Sequence, residues 1–338
     1  MRPQIMVTLG PSSLNEETVK QCAQEDIFVF RLNMSHTQLE TLEESISKIQ
    51  GWTDTPLCLD SEGAQLRNES IKGGNTNYQQ DETVKIHFDC VEGDSTNISF
   101  TPKGIARQFV VGDRLRIDFD RVVLRVSEIN ADHCLAVVET GGIVGSNKAA
   151  DTDRKLDLIP ITEKDRKAIE IGRKMGLTHF ALSFANSPSD VARMRELCGD
   201  GACIVSKIES RAGLHNLEGI LHLSDQILVD RGDLSRQVPI DKVPFLQRRI
   251  ISIARSMRTP VNVATNLLES MVVTHTPTRA EVNDVVSTLL MGADGLVLAA
   301  ETAIGKYPVD AVKMIRLICD QFEKWTPNSS IGEILDVW

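Results

Sequence analysis

The chain has 338 residues, more than one ordinary core needs and enough for a barrel of roughly 250 residues with a smaller domain beside it. Apolar residues make up 41% and charged residues 25%, with 22 Gly and 12 Pro, which excludes a disordered or fibrous chain. A formal net charge of −10 excludes a general nucleic-acid or anionic-membrane surface, while a local basic pocket for phosphate remains allowed.

The N-terminus, "MRPQIMVTLGPSS", lacks the apolar core of a signal peptide, and no apolar run is long enough to span a membrane. "QIMVTLG" reads as a strand, "NEETVKQCAQED" as a helix and "IFVFRLNMS" as a second strand. "TQLETLEESISKIQGW" has apolar residues at helical spacing, and "PLCLDSEG" is a third strand with a polar end. This βαβαβ order implies a parallel sheet. From Asn68 to Asp157 the alternation stops. Strand-like pieces ("TVKIHFDC", "TNISFTP", "DRLRIDFD", "RVVLRVSEI", "HCLAVVETGG") follow one another between Gly- and Asp-rich turns, as in a small all-β insert.

After "IPITEKDRKAIEIGRKMG" the alternation resumes. The strands are "HFALSF", "ACIVSKIE", "QILVDRGD", "PVNVATN" and "GLVLAAE". The helices are "SPSDVARMRELCG", "SRAGLHNLEGILHLS", "VPFLQRRIISIARSM", "TRAEVNDVVSTLLMG" and "YPVDAVKMIRLICDQFEKW". Three strands before the insert and five after it predict an α/β fold, a (β/α)8 TIM barrel with an inserted small β-barrel domain. The expected division is 1–67 with 158–338 for the barrel and 68–157 for the insert. The end, "TPNSSIGEILDVW", reads as a tail. Seven Cys without a CxxC pair fit reduced thiols in a cytoplasmic protein.

Function in such a barrel sits where strands end. Here the ends carry Thr8; Arg31, Asn33 and Ser35; Asp60 and Ser61; Ser183; Lys207 and Glu209; Asp230, Arg231 and Asp233; Thr265; Glu301 and Thr302. Each has a bland alternative. Lys207-Ile208-Glu209 can be an exposed alternating strand end, and Asp233 can cap a helix. Thr265 can bond backbone, and His36 and His275 can be solvated. As a set they need partners or a ligand, because charges at a barrel mouth are costly alone. Arg231-Gly232-Asp233 closes a buried strand, which excludes an adhesion tripeptide.

Glu209 and Asp233 leave adjacent strands, so they suit a Mg2+ or Mn2+ ion with open positions. Arg31, Arg67 and Lys207 supply positive charge for a phosphoryl group. Backbone N–H groups of Arg231, Gly232 and Asp233 open a helix and can hold a carboxylate. Phosphoryl transfer needs mainly positioning and charge neutralisation, which this inventory offers.

At these residues the sequence resembles the pyruvate kinase family. "VTLGPSS", "RLNMSH", "LDSEGAQLR", "ETGGIVGSNK", "ITEKD", "IVSKIES", "ILVDRGDL", "VATNLLESM", "PTRAEVNDV" and "AAETAIGKYPVDAVKM" occur in the family's order. The resemblance implies a barrel with a mobile β-domain lid. It implies phosphoryl transfer from phosphoenolpyruvate to ADP, a divalent metal and K+. By position, Glu209 and Asp233 would bind Mg2+ or Mn2+. Lys207 would touch the transferring phosphoryl between Arg31 and Arg67, and Thr265 would lie near the protonated carbon. The backbone of Gly232 and Asp233 would hold the substrate carboxylate; Ser183, Asp230, Arg231 and Glu301 are further substrate-binding candidates. Asn33, Ser35, Asp60 and Ser61 match the K+ ligands, and Pro11, His36 and Lys148 the nucleotide contacts.

The chain departs from the family pattern in places. It ends at Trp338, where the family continues into a regulatory C-terminal domain, so no sugar-phosphate regulation and assembly through the barrel, as a dimer, are expected. Asp230 replaces a small Ala, Glu62 a Lys, Gln65 a Glu and Thr37 a Gly, and the family's Ser-Gly before Glu301 is Ala299-Ala300. Asp230 adds negative charge near the expected carboxylate pocket. Three functions follow. One is a compact pyruvate kinase. Another is a metal enzyme on a different substrate in a specialised pathway, by phosphoryl transfer or enolate and aldol chemistry. The third, a non-catalytic paralogue, is opposed by the retained metal and phosphoryl residues.

Overall fold

The computed structural model describes residues 2–118, 120–154 and 156–335. Three strands open the chain: β1 (Gln4–Leu9), β2 (Val29–Asn33) and β3 (Leu57–Asp60). Among the described residues nine short strands follow: β4 (Leu66–Asn68), β5 (Asn75–Tyr78), β6 (Thr83–His87), β7 (Asn97–Thr101), β8 (Arg114–Ile117), β9 (Val122–Ile129), β10 (His133–Thr140), β11 (Gly142–Gly145) and β12 (Ala149–Thr152). The α/β alternation then returns with β13 (His179–Leu182), β14 (Cys203–Ile208), β15 (Gln226–Asp230), β16 (Val261–Ala264) and β17 (Gly295–Leu298).

Among the described residues, β1, β17, β16, β15, β14, β13, β3 and β2 close in that order into a parallel barrel. The fold is the expected (β/α)8 barrel with a small β-barrel inserted after β3. A period of two along each strand divides its side chains. In β1, Ile5, Val7 and Leu9 join the large core shared with the helices, while Met6 joins a separate inner cluster with Val29, Cys58, Ala181, Val205, Leu228, Ala264 and Val297. That inner cluster plugs the barrel, so what lies two residues further along each strand sits on top of it.

The second unit runs from Ala64 to Ile159 and the first takes Met1–Gly63 with Pro160–Trp338. The expected boundary after residue 67 falls inside β4. Leu66 and Arg67 belong with the insert because β4 pairs with β7 and β12. In the second unit β10, β6, β7, β4, β12, β8 and β9 close a barrel of their own, and β11 pairs with β5. Its core comes from alternating positions such as Val84 and Ile86, Leu115 and Ile117, and Val122, Leu124 and Val126.

The helix expected over residues 210–224 is two pieces, Arg211–His215 and Leu217–Leu223, because Asn216 leaves helical geometry and donates its side-chain N–H to Asn186 O at 2.7 Å. Part of the tail forms a short helix, Ile331–Leu335; residues 336–338 lie outside the described residues. Among the described residues no helix is long and apolar enough to cross a membrane.

Candidate active site

Strand parity builds the site. Thr8, Arg31, Asp60, Ser183, Lys207 and Asp230 each stand two residues beyond Met6, Val29, Cys58, Ala181, Val205 and Leu228 of the inner cluster. The pleat therefore turns them all inward at the C-terminal end of the barrel. All six are buried. Isolated, such groups would be costly; together they satisfy one another.

Lys207 is the hub. Its Nζ lies 2.9 Å from Glu209 Oε1, 3.2 Å from Asp60 Oδ2 and 3.9 Å from Asp230 Oδ2, and it donates to Ser183 Oγ at 3.0 Å. Ser183 passes the chain on by donating to Asp60 Oδ1 at 3.1 Å. Arg31 Nη1 approaches Asp60 Oδ2, the oxygen Lys207 also meets, at 3.2 Å, and Arg31 donates from Nε to Thr8 Oγ1 at 3.0 Å. Burial pulls the Lys207 ammonium down, but Asp60, Glu209 and Asp230 together outweigh it and hold its pKa above the usual range. For Glu209 the balance runs the other way. Burial pushes it up to about 8; Lys207 opposes this, while Asp233, Asp230 and Asp60 add to it.

Glu209, Asp230 and Asp233 each place a carboxylate oxygen within 4.8 Å of the other two. Asp233 Oδ1 also accepts from Arg236 Nη1 at 2.6 Å. The cluster thus gathers four carboxyl groups (Asp60, Glu209, Asp230, Asp233) around three cations (Arg31, Lys207, Arg236). Three hard oxygen donors converging within 4.8 Å, with Glu209 fully buried and raised in pKa as a carboxyl lacking a cation would be, fit a divalent ion of the Mg2+ or Mn2+ type.

Two features hold this shape at a cost in backbone strain. Phe184 has φ 51 and donates its N–H to Glu209 Oε2 at 2.6 Å. Thr265, a β-branched residue, has φ 77 and donates its hydroxyl to Asp230 Oδ1 at 2.6 Å. Such conformations persist where the surroundings over-determine them, often at functional sites.

The structure corrects several sequence expectations. The cap of the helix Arg231–Gln237 is Asp230, not Asp233: Gly232 N–H donates to Asp230 Oδ1 at 3.2 Å. Asp is a favoured N-cap, so the side chain takes a donor that was expected to be free for a ligand. The Arg231 guanidinium turns out of the cluster. Its Nε donates to Thr265 O at 3.0 Å and its Nη1 to Asp284 Oδ2 at 2.6 Å. Glu301 is buried but accepts backbone N–H bonds from Leu268 at 3.1 Å and Ala299 at 2.9 Å, tying two loops rather than facing Lys207.

Of the proposed K+ set, Asp60 and Ser61 meet through Ser183, whose N–H donates to Ser61 Oγ at 2.9 Å; Asn33 Oδ1 accepts from Ser35 N–H at 2.9 Å. Pro11 and His36 are exposed on the first unit. Arg67, which donates to Asn147 O at 2.9 Å, and Lys148 belong to the second unit. Sequence reasoning missed Arg236, legible only as an i+3 partner of Asp233, and Asp165, legible as the end of a Thr-x-x-Asp capping box.

A family model for the pyruvate kinase barrel domain matches residues 1–312. A pyruvate kinase of Mycobacterium tuberculosis (strain H37Rv) is 34% identical over 343 residues, covering 98% of this chain and 73% of that protein. Pyruvate kinases of Thermotoga maritima, 32% identical with 95% and 71% covered, and of Thermococcus litoralis, 31% identical with 98% and 71% covered, are similar along the same stretch.

Proposed function

The chain belongs to the pyruvate kinase family and is a phosphotransferase of that type, and from that premise we propose that it moves a phosphoryl group between phosphoenolpyruvate and ADP, giving pyruvate and ATP. The observation that carries the reading is Lys207: a buried ammonium at the barrel mouth, ringed by Glu209, Asp60 and Asp230 and reaching the candidate metal group. Glu209 and Asp233 would hold Mg2+ or Mn2+. When bound, the ion supplies charge neutralisation and a fixed template for phosphoryl oxygens.

Lys207 and Arg31 then have one task, to place fixed positive charge where phosphoryl oxygens gain negative charge. Both are held by Asp60, so neither needs to reorganise during transfer. Thr265 presents its hydroxyl at the end of β16, where it can deliver or hold a proton near a substrate carbon. Asn33, Ser35, Asp60 and Ser61 would hold K+, and Pro11 and His36 would face the nucleotide. The roles of Arg67 and Lys148 rest on the resemblance alone. A cytoplasmic setting and a homo-oligomer formed through the barrel belong to the same reading.

A coupled ATP-formation assay with phosphoenolpyruvate, ADP, Mg2+ and K+ tests the proposal. Turnover that EDTA abolishes, and that drops by roughly three orders of magnitude in Glu209→Gln, is expected. Absence of ATP from any phosphoryl donor at saturating Mg2+ or Mn2+ overturns it. A second reading, another phosphorylated substrate at the same site, is favoured by one observation: the inward carboxylate of Asp230.

A further inference from the structure

Strand parity aims Asp230 inward, and three contacts fix it there. Its Oδ1 accepts from Thr265 Oγ1 at 2.6 Å and from Gly232 N–H at 3.2 Å, while its Oδ2 stands 3.9 Å from Lys207 Nζ. The residue is 8% exposed. Gly232 and Thr265 pack closely at this corner, since a Cβ on Gly232 would meet Thr265 Cγ2 at 2.9 Å. A carboxylate so held cannot rotate away from an incoming ligand. It also occupies the hydroxyl and the amide that an anionic ligand group would otherwise use.

We infer that Asp230 is a specificity-determining residue, which makes this site prefer a phosphoryl donor bearing an uncharged or hydrogen-bond-donating group (hydroxyl, amide or ammonium) where phosphoenolpyruvate bears its carboxylate. The inference rests on metal-dependent phosphoryl transfer at this site and develops the second reading above, a phosphorylated substrate other than phosphoenolpyruvate. Two like charges within about 4 Å in a partly buried site repel strongly, so a substrate carboxylate next to Asp230 binds at least tenfold more weakly. A hydroxyl, amide or ammonium meets an acceptor there instead, already oriented by Thr265 and Gly232.

Calorimetric titration of pyruvate and of pyruvamide, its uncharged analogue, into wild type, Asp230→Asn and Asp230→Ala, with and without Mn2+, tests it. Asn keeps the cap and the shape while removing the charge. Pyruvate affinity is expected to rise at least tenfold in both variants, and the pyruvate-to-pyruvamide preference to move by the same factor. With phosphoenolpyruvate, KM should fall at least tenfold with a smaller change in kcat. Unchanged or weaker pyruvate binding in both folded variants, or no pyruvate binding in any of the three proteins, overturns the inference. So does a tenfold loss of Mn2+ affinity without a gain for pyruvate, which would make Asp230 a metal ligand. The function itself is judged separately, on metal-dependent phosphoryl transfer by the wild type across donors.

Discussion

Lys207 is held by Glu209, Asp60 and Asp230 in a buried site, so its removal leaves those charges unpaired. Lys207→Ala should cost about 3–5 kcal/mol in urea unfolding of the metal-free protein and lower phosphoryl transfer by roughly three orders of magnitude. Cysteine chemistry gives an independent check on packing. Burial pushes Cys22 and Cys198 up to about 12 and Cys134, Cys203 and Cys319 up to about 11, whereas Cys90 is exposed. A thiol reagent at pH 7 should label Cys90 first and leave these five until denaturant is added. Because the thiolate is the reactive form and the Cys90 pKa is raised, its labelling should quicken about tenfold per pH unit through pH 8. At this scale the sequence showed which residues end strands, since a period of two and a polar residue after an apolar run are local signals. It did not show that Asp230 caps its own helix, nor that Arg231 reaches Asp284. The second contact closes over 53 positions of chain and has no local signature.

The element that organises the chain's departure from the first barrel is a single capping box. Asp165, 1% exposed, accepts from Glu62 N–H at 2.7 Å, Gly63 N–H at 3.1 Å, Thr162 N–H at 3.0 Å and Thr162 Oγ1 at 2.8 Å. One carboxylate thus caps the helix Glu163–Lys174 and fixes the last residues before the chain enters the second unit. Asp165→Ala leaves buried donors unsatisfied as well as losing the cap, and should lower the midpoint of urea unfolding by the equivalent of about 2–4 kcal/mol. Asp165→Asn should recover part of that loss. The barrel strands were legible because each is an apolar run with a polar end. The boundary inside β4 was not, because a three-residue strand is too short to show periodicity and its membership is set by pairing with β7 and β12.

Each unit has its own buried core and its own closed sheet, which predicts that they fold separately. Replacing residues 64–159 by a short Gly-rich linker should leave the first barrel folded, with its near-ultraviolet circular dichroism and a cooperative melt intact; loss of the melt would contradict this. The scale of the whole molecule also explains what the sequence conveyed best. Eight βα units with an all-β interruption are a pattern repeated over hundreds of residues, so errors at single boundaries do not disturb it. The central claim is that this barrel mouth, through Glu209 and Asp233, holds one divalent ion beside Lys207. Calorimetric titration of Mn2+ into wild type, Glu209→Gln and Asp233→Asn measures it directly. The account predicts one Mn2+ per wild-type chain, with affinity at least tenfold weaker in each variant. Equal binding by all three proteins, or none by the wild type, would contradict it.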